Sequence, residues 1–227
     1  MTFITLHSGR RLFYLRRGPT GNPPVILIHG AAGHAMLWGH VLRLLPTMDC
    51  IALDLPGHGR SAGPSCDSVP AYSAALEEFI EAMHLTGAIL AGHSMGGAIS
   101  LDLALHRPEL LRGLVLVSTA ATLPIEPALL QQVLADPGCA RRWLVEAGYG
   151  RDASPSVLAL AQQRLAEVPD AVLHDDIRAG ASYDISPRLG EVRLPALVLC
   201  GSGDELTPLQ QVRALARGIP GARFELV

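Results

Sequence analysis

Eighteen consecutive apolar residues occur nowhere in this 227-residue sequence, and residues 1–11 hold no apolar stretch ahead of a small-residue cleavage site. Membrane spanning and signal-peptide secretion are therefore not expected. Long runs of one charge are also missing. With a net charge of −3 and an isoelectric point near 6.3, the chain advertises no surface for nucleic acid or anionic lipid. The arginine pairs at 10 and 11, 16 and 17, and 141 and 142 read as solvated faces. Only Cys50, Cys66, Cys139 and Cys200 are present, without C-x-x-C spacing. Two of them, Cys50 and Cys200, lie in or beside apolar runs, where a thiol behaves as a small hydrophobe. A reduced, cytoplasmic protein is the expectation. His29, His34 and His40 cluster in sequence, but no nearby Cys or carboxylate completes a ligand set, so no metal is expected.

What the sequence does have is apolar material, 49% of its residues, enough for one large domain or a core with an insertion. Short apolar runs at 13–15, 25–29, 51–53, 88–91, 114–117 and 197–200 read as strands. Residues 35–45, 69–84, 95–106 and 209–219 carry apolar positions at three- and four-residue spacing and read as helices. Such alternation builds an α/β fold, a mostly parallel sheet with helices on both faces. Residues 3–17 lack helical spacing and have glycine at their turns, which predicts an antiparallel hairpin at one sheet edge. Between 122 and 182 the rhythm changes to four helices, at 126–136, 140–147, 155–168 and 170–179, with no strand between them. The domain reading is a core of 1–121 and 183–227 carrying a helical lid at 122–182. A plain extra helical layer is the alternative. The apolar content of the segment, Leu123, Ile125, Leu129, Leu130, Trp143, Leu144 and Leu158, favours a lid.

Gly92-His93-Ser94-Met95-Gly96 follows the 88–91 run and precedes a helical pattern, so Ser94 falls on a strand-to-helix corner where a hydroxyl can be lifted above the sheet edge. A G-x-S-x-G match has a chance of about one in eight in a chain this rich in glycine, so its companions must decide. Acyl transfer needs a base, an acid to hold that base, and donors for a developing oxyanion. For the donors, His29-Gly30-Ala31-Ala32-Gly33 closes the 25–29 run at the same sheet edge, and the N–H groups of Ala31 and Met95 could converge on one point. Met95 would open a helix whose first N–H groups are unsatisfied. A simple tight turn is the competing reading. For the acid, the 197–200 run ends in a loop that sets Asp204 beyond a strand end, although Asp204 could instead cap the helix beginning near Pro208. The end of the 114–117 run, Ser118-Thr119-Ala120, offers no acid.

Four motifs in this order, His29 to Gly33, Asp54-Leu55-Pro56-Gly57-His58-Gly59-Arg60-Ser61, Gly92 to Gly97, and Gly201 to Pro208, make the chain resemble the α/β-hydrolase superfamily, in its lid-bearing esterase, lactonase, carbon-carbon hydrolase and perhydrolase group. The resemblance spans nearly the whole chain and is weakest across the lid. It implies Ser94 as nucleophile, Asp204 as triad acid, and Ala31 and Met95 as oxyanion-hole donors. Serine at the nucleophile position argues against haloalkane dehalogenases and epoxide hydrolases. The Asp54 to Ser61 loop is a structural hallmark without a catalytic role. Family members carry the base histidine after the last strand, here expected at 224–227, yet no histidine lies beyond His174. His29, His58 and His93 belong to the turn motifs, and His174 alone could swing over Ser94 from the lid. The expectation is a member truncated before its histidine loop and final helix, with an apolar patch open to homo-oligomer formation. The implied reaction is hydrolysis of a small uncharged ester, thioester or lactone, with no cofactor, a small-molecule substrate, and no nucleic acid or membrane partner. Perhydrolase or carbon-carbon hydrolase chemistry, and a non-catalytic binding protein, are the alternatives.

Overall fold

Eight strands join in one sheet in the computed structural model, which describes residues 2–20, 23–123, 125–149 and 152–227. They are β1 (Thr2–Thr5), β2 (Arg11–Arg17), β3 (Val25–Ile28), β4 (Cys50–Leu53), β5 (Ala88–His93), β6 (Leu111–Val117), β7 (Ala196–Cys200) and β8 (Arg223–Leu226). The order is β1-β2-β4-β3-β5-β6-β7-β8. The first two strands form the edge hairpin, β2 lies antiparallel to β4, and the six from β4 to β8 run parallel. Met1 and positions 21, 22, 124, 150 and 151, which the expected domain boundaries include, lie outside the described residues.

The central strands read as continuous apolar runs because both of their faces are buried. On one face Ile26, Ile28, Ile51 and Leu53 meet Tyr72, Leu76 and Phe79 of α2 (Val69–Ala82) and Ile99 and Leu103 of α3 (Met95–His106). Val212 and Leu215 of α8 (Leu209–Gly218) extend the same core. On the other face Val25, Leu27, Cys50 and Ala52 meet Ala35 and Leu42. The helix expected at 35–45 is split: Ala35–Trp38 forms a 3-10 turn, and α1 spans only Gly39–Leu44. Gly39 at the junction has the lowest helix propensity after proline, which explains the break. All four cysteines are free, and Cys50, Cys66 and Cys200 are buried, their thiols pushed up by burial.

Between β6 and β7 lie the four expected helices, α4 (Pro127–Ala135), α5 (Pro137–Gly148), α6 (Pro155–Ala166) and α7 (Asp170–Ala181). Three begin with proline at the first helical position behind a side-chain cap: Glu126 accepts from Ala128 and Leu129, Asp136 from Gly138, and Ser154 from Val157. Proline loses no hydrogen bond there, and the cap satisfies N–H groups the helix cannot. Helices α4, α5 and α7 share a cluster of Val133, Ala140, Leu173 and Ile177, Leu165 of α6 packs against it, and the cluster takes in Ala32 from the turn after β3. The insertion is thus packed onto the sheet edge rather than standing beside it.

Two arginines expected on solvated faces hold structure together. Arg16 makes a two-pronged contact with the buried carboxylate of Asp49, at 2.8 and 2.7 Å. Arg141 donates to the carbonyls of Leu165 and Val168 and to Asp170, tying α5 to the start of α7.

Candidate functional site

Ser94 is the single residue between β5 and α3, the helix N-cap, with φ 51° and ψ −119°, in the left-handed region that costs a non-glycine residue about 1–3 kcal/mol. The neighbours overdetermine this conformation. Its N–H donates to Val117 O at 3.0 Å, and its carbonyl accepts from Gly97 and Ala98 at 2.8 and 3.2 Å. The flanking glycines are forced by backbone: a Cβ on Gly92 would run into Gly96 and Gly97, and one on Gly96 into the carbonyls of Ile28 and His29. Ala32 and Ser118 share the left-handed region, with φ 55° and 46°, so three strained residues ring one edge of the sheet, after β3, β5 and β6. The Ser94 hydroxyl has no hydrogen-bond partner among the described residues.

Ala31 sits in a turn closed by Gly33 N–H donating to Gly30 O at 3.1 Å. His29 fixes that turn from beneath. Its Nε2 accepts from Leu55 N–H at 3.1 Å, so the proton is on Nδ1, which donates to Gly30 O at 2.8 Å. Because the Gly30 carbonyl is held on that side, the N–H of Ala31, on the same peptide, points the opposite way. Neither it nor Met95 N–H meets an acceptor among the described residues, and both residues line a cavity with Ser94. A Cβ on Gly30 would lie 3.1 Å from Ser94 Cβ, so the turn and the elbow are in close contact.

Beneath the turn lies a charge pair that sequence reading missed. His58 donates from Nδ1 to Pro56 O at 3.0 Å and from Nε2 to Asp176 at 2.8 Å, with both side chains sealed from solvent. Burial opposes its charge, but Asp176 outweighs that cost and leaves the imidazole above its usual pKa. His29, with ring centres 4.8 Å apart from His58, is held well below, by burial and then by the neighbouring charge. Their linkages have opposite sign. An unfolded histidine titrates near 6.5, so the His58 contribution is complete below about that pH and is lost as pH rises through the raised folded value. The His29 contribution is complete above it and is lost as pH falls toward the lowered value. Thermal midpoints are expected to decline on both sides of slightly acidic pH, and His58→Gln should flatten the alkaline decline. An unchanged alkaline limb in that variant would assign the loss to other groups.

Asp204 caps the turn that leads into α8 and borders the same opening as Ser94. Its carboxylate accepts from the N–H groups of Leu206 and Thr207 at 3.1 and 2.8 Å and from the Thr207 hydroxyl at 2.6 Å, shaping the turn into α8, while it also lines a cavity of about 380 Å³ with Ser94. A second cavity, about 170 Å³, runs from Ser94 past Gly30 and His34 to Tyr149. A third, about 60 Å³, lies beneath the insertion between Ser94, Met95, Leu123, Trp143, Leu144 and Ile177. His93 lines the two larger cavities and is exposed there. His174 does not reach Ser94: it borders a separate hollow between α4 and α7 and faces Asp175. Asp54 is buried and structural, accepting from Ala35 and Arg60 N–H at 2.5 and 2.8 Å. Among the described residues, no group of three or more histidine, cysteine or acidic side chains could hold a metal, and no helix is long and apolar enough to cross a membrane.

A family model for the alpha/beta hydrolase fold matches residues 23–153, more than half of the chain. The chain belongs to the alpha/beta hydrolase fold family. Lipase LipV of Mycobacterium tuberculosis is 31% identical over 163 residues, a stretch covering 68% of this chain and 62% of the lipase. A thermophilic esterase from Thermogutta terrifontis superposes with a TM-score of 0.86 at 25% identity, over 100% of this chain and 89% of that one. The enol-lactonase from Burkholderia xenovorans LB400 gives 0.87 at 22% identity, over 100% and 91%, and speaks for the fold alone. Within this alpha/beta hydrolase, Asp176 is the buried polar residue that the sequence concealed. The one available signal was its place on the apolar stripe of α7, between Leu173 and Ile177, where its neighbour Asp175 is not.

Proposed function

We propose that this alpha/beta hydrolase cleaves a small uncharged carboxylic ester, thioester or lactone through an acyl intermediate on Ser94. The observation that carries the reading is the left-handed Ser94, its hydroxyl unbonded, sharing one cavity with Ala31 and Met95, whose N–H groups meet no acceptor among the described residues, and another with Asp204. Ser94 Oγ attacks the carbonyl carbon, and the charge that builds on the carbonyl oxygen falls between the two N–H groups. Collapse of the tetrahedral intermediate expels the alcohol, thiol or ring oxygen, which takes a proton. Water then releases the acid by the same steps in reverse order. Lining by Leu123, Ile125, Trp143, Leu144 and Ile177 supports an uncharged acyl group, since the one carboxylate on the cavity wall, Asp176, is already committed to His58, Tyr72 and Ala32 N–H, and the helical insertion acts as the lid above it.

The proton leaving Ser94 needs a base, and no imidazole lies within hydrogen-bonding distance of Ser94 Oγ among the described residues. That observation favours a second reading, a binding protein that keeps the fold without turnover. An excess of an activated aryl ester separates the two. Deacylation also depends on the base, so the acyl group should accumulate on the peptide containing Ser94 and be found by mass spectrometry, with none in Ser94→Ala. Acylation elsewhere, or nowhere, removes the hydrolytic reading.

A further inference from the structure

We propose that Asp176, carried by α7 of the insertion, is a positioning residue for the oxyanion turn. It clamps the peptide that follows Ala31, so that docking of the insertion and assembly of the anion site are a single event. This rests on the reading of Ala31 as an oxyanion donor. Two peptides flank Ala31. The one before it is held by His29 through Gly30 O. The one after it is held by Asp176, whose Oδ2 accepts Ala32 N–H at 2.7 Å. No local interaction could replace that anchor, because the turn spends its own closing bond on Gly33 and Gly30.

The rest of the Asp176 environment serves the same contact. Oδ2 also accepts from His58 Nε2, and Oδ1 accepts from the Tyr72 hydroxyl at 2.6 Å. The three donors come from three places, the turn after β3, the loop after β4, and α2, and they converge on one carboxylate from an otherwise apolar helix face. A carboxylate sealed to 1% exposure is tolerated only when its lone pairs are filled and an opposite charge is near. Here both conditions are met by groups that belong to the sheet domain, so the insertion cannot lift away without stranding a charge on each side. Ala32 is the residue that needs such help: it is left-handed without being glycine, and once its N–H is released the peptide behind it is free to turn.

The test uses hydrolysis of an aryl ester in imidazole buffer by the whole chain. Asp176→Ala is expected to lower kcat by about 10- to 100-fold, the scale of a misaligned oxyanion donor, and to change KM by less than kcat, because Asp176 borders the cavity itself but Leu123, Trp143 and Leu144 keep its apolar lining. Asp176→Asn, which keeps an oxygen for Ala32 N–H, should recover most of the loss. An unchanged kcat in Asp176→Ala overturns the proposal, and so does an equal fall in both variants that follows their melting temperatures. If Asp176→Ala fails to fold, amide exchange in the unmodified protein decides: Ala32 N–H should exchange far more slowly than Ala31 N–H, and equally fast exchange overturns the clamp. Imidazole-dependent turnover by the protein that survives Ser94→Ala defeats the nucleophile reading, while the exchange measurement still stands or falls by itself.

Discussion

Imidazole added to the solvent is expected to raise aryl-ester hydrolysis by this chain about 100-fold above the reaction of imidazole alone, at the low end of what a positioned general base contributes. Ser94 and Asp204 face one cavity of about 380 Å³, and the Ser94 hydroxyl is committed to nothing else. Asp204 has three donors from its own loop, and an ionised carboxylate accepts about four. One position is therefore left to hold an imidazole N–H while the other ring nitrogen takes the Ser94 proton. N-methylimidazole, which lacks that N–H, should rescue less. Ser94→Ala should abolish the imidazole-dependent part while changing the rate without imidazole little, because nucleophile and base act as a unit and removing either costs nearly as much as removing both. Initial rates against imidazole concentration should saturate for the unmodified chain. A linear, protein-independent rise that Ser94→Ala reproduces would show that the cavity does not bring the groups together.

The fold was legible because its signals are local. Strands buried on both faces appear as unbroken apolar runs, and proline with a capping residue marks the starts of α4, α5 and α6 within the sequence itself. The placement of Ser94, Ala31 and Asp204 at one sheet edge was legible for a related reason: each follows a strand run in a parallel sheet, so topology alone sends all three there. What escaped notice depends on pairing across the chain. Arg10, Arg16 and Arg141 look alike as surface arginines, and only the register of β2 against β4, which sets Arg17 opposite Cys50, brings Arg16 to Asp49. Asp175 and Asp176 are adjacent and chemically identical. One accepts from the half-buried Ser65 hydroxyl, and the other enters the core to meet a histidine 118 positions earlier. Helical phase distinguishes them, but the partner that makes a buried carboxylate tolerable is visible only once the chain is folded.

Gly96→Ala is expected to destabilise the protein by about 2 kcal/mol or more and to lower its thermal midpoint by roughly 5–10 °C. Helix propensity argues the other way. Gly96 lies in the first turn of α3 without a positive φ, and alanine in a helix gains up to about 1 kcal/mol over glycine. The surroundings decide against it. An added Cβ would sit 2.6 Å from His29 O and closer still to Ile28 O, and neither is a side chain that can rotate aside. Relief requires α3 to move away from the end of β3, which draws the Ser94 elbow off the turn that carries Ala31. Imidazole-dependent hydrolysis should therefore fall by more than the loss of folded protein accounts for. Gly39→Ala provides the contrast: it is helical and meets nothing within 4 Å, so propensity acts alone and the midpoint should hold or rise slightly. If both variants melt like the parent, β3 and α3 are not in backbone contact, and the close approach of Ser94 to the Ala31 turn goes with it.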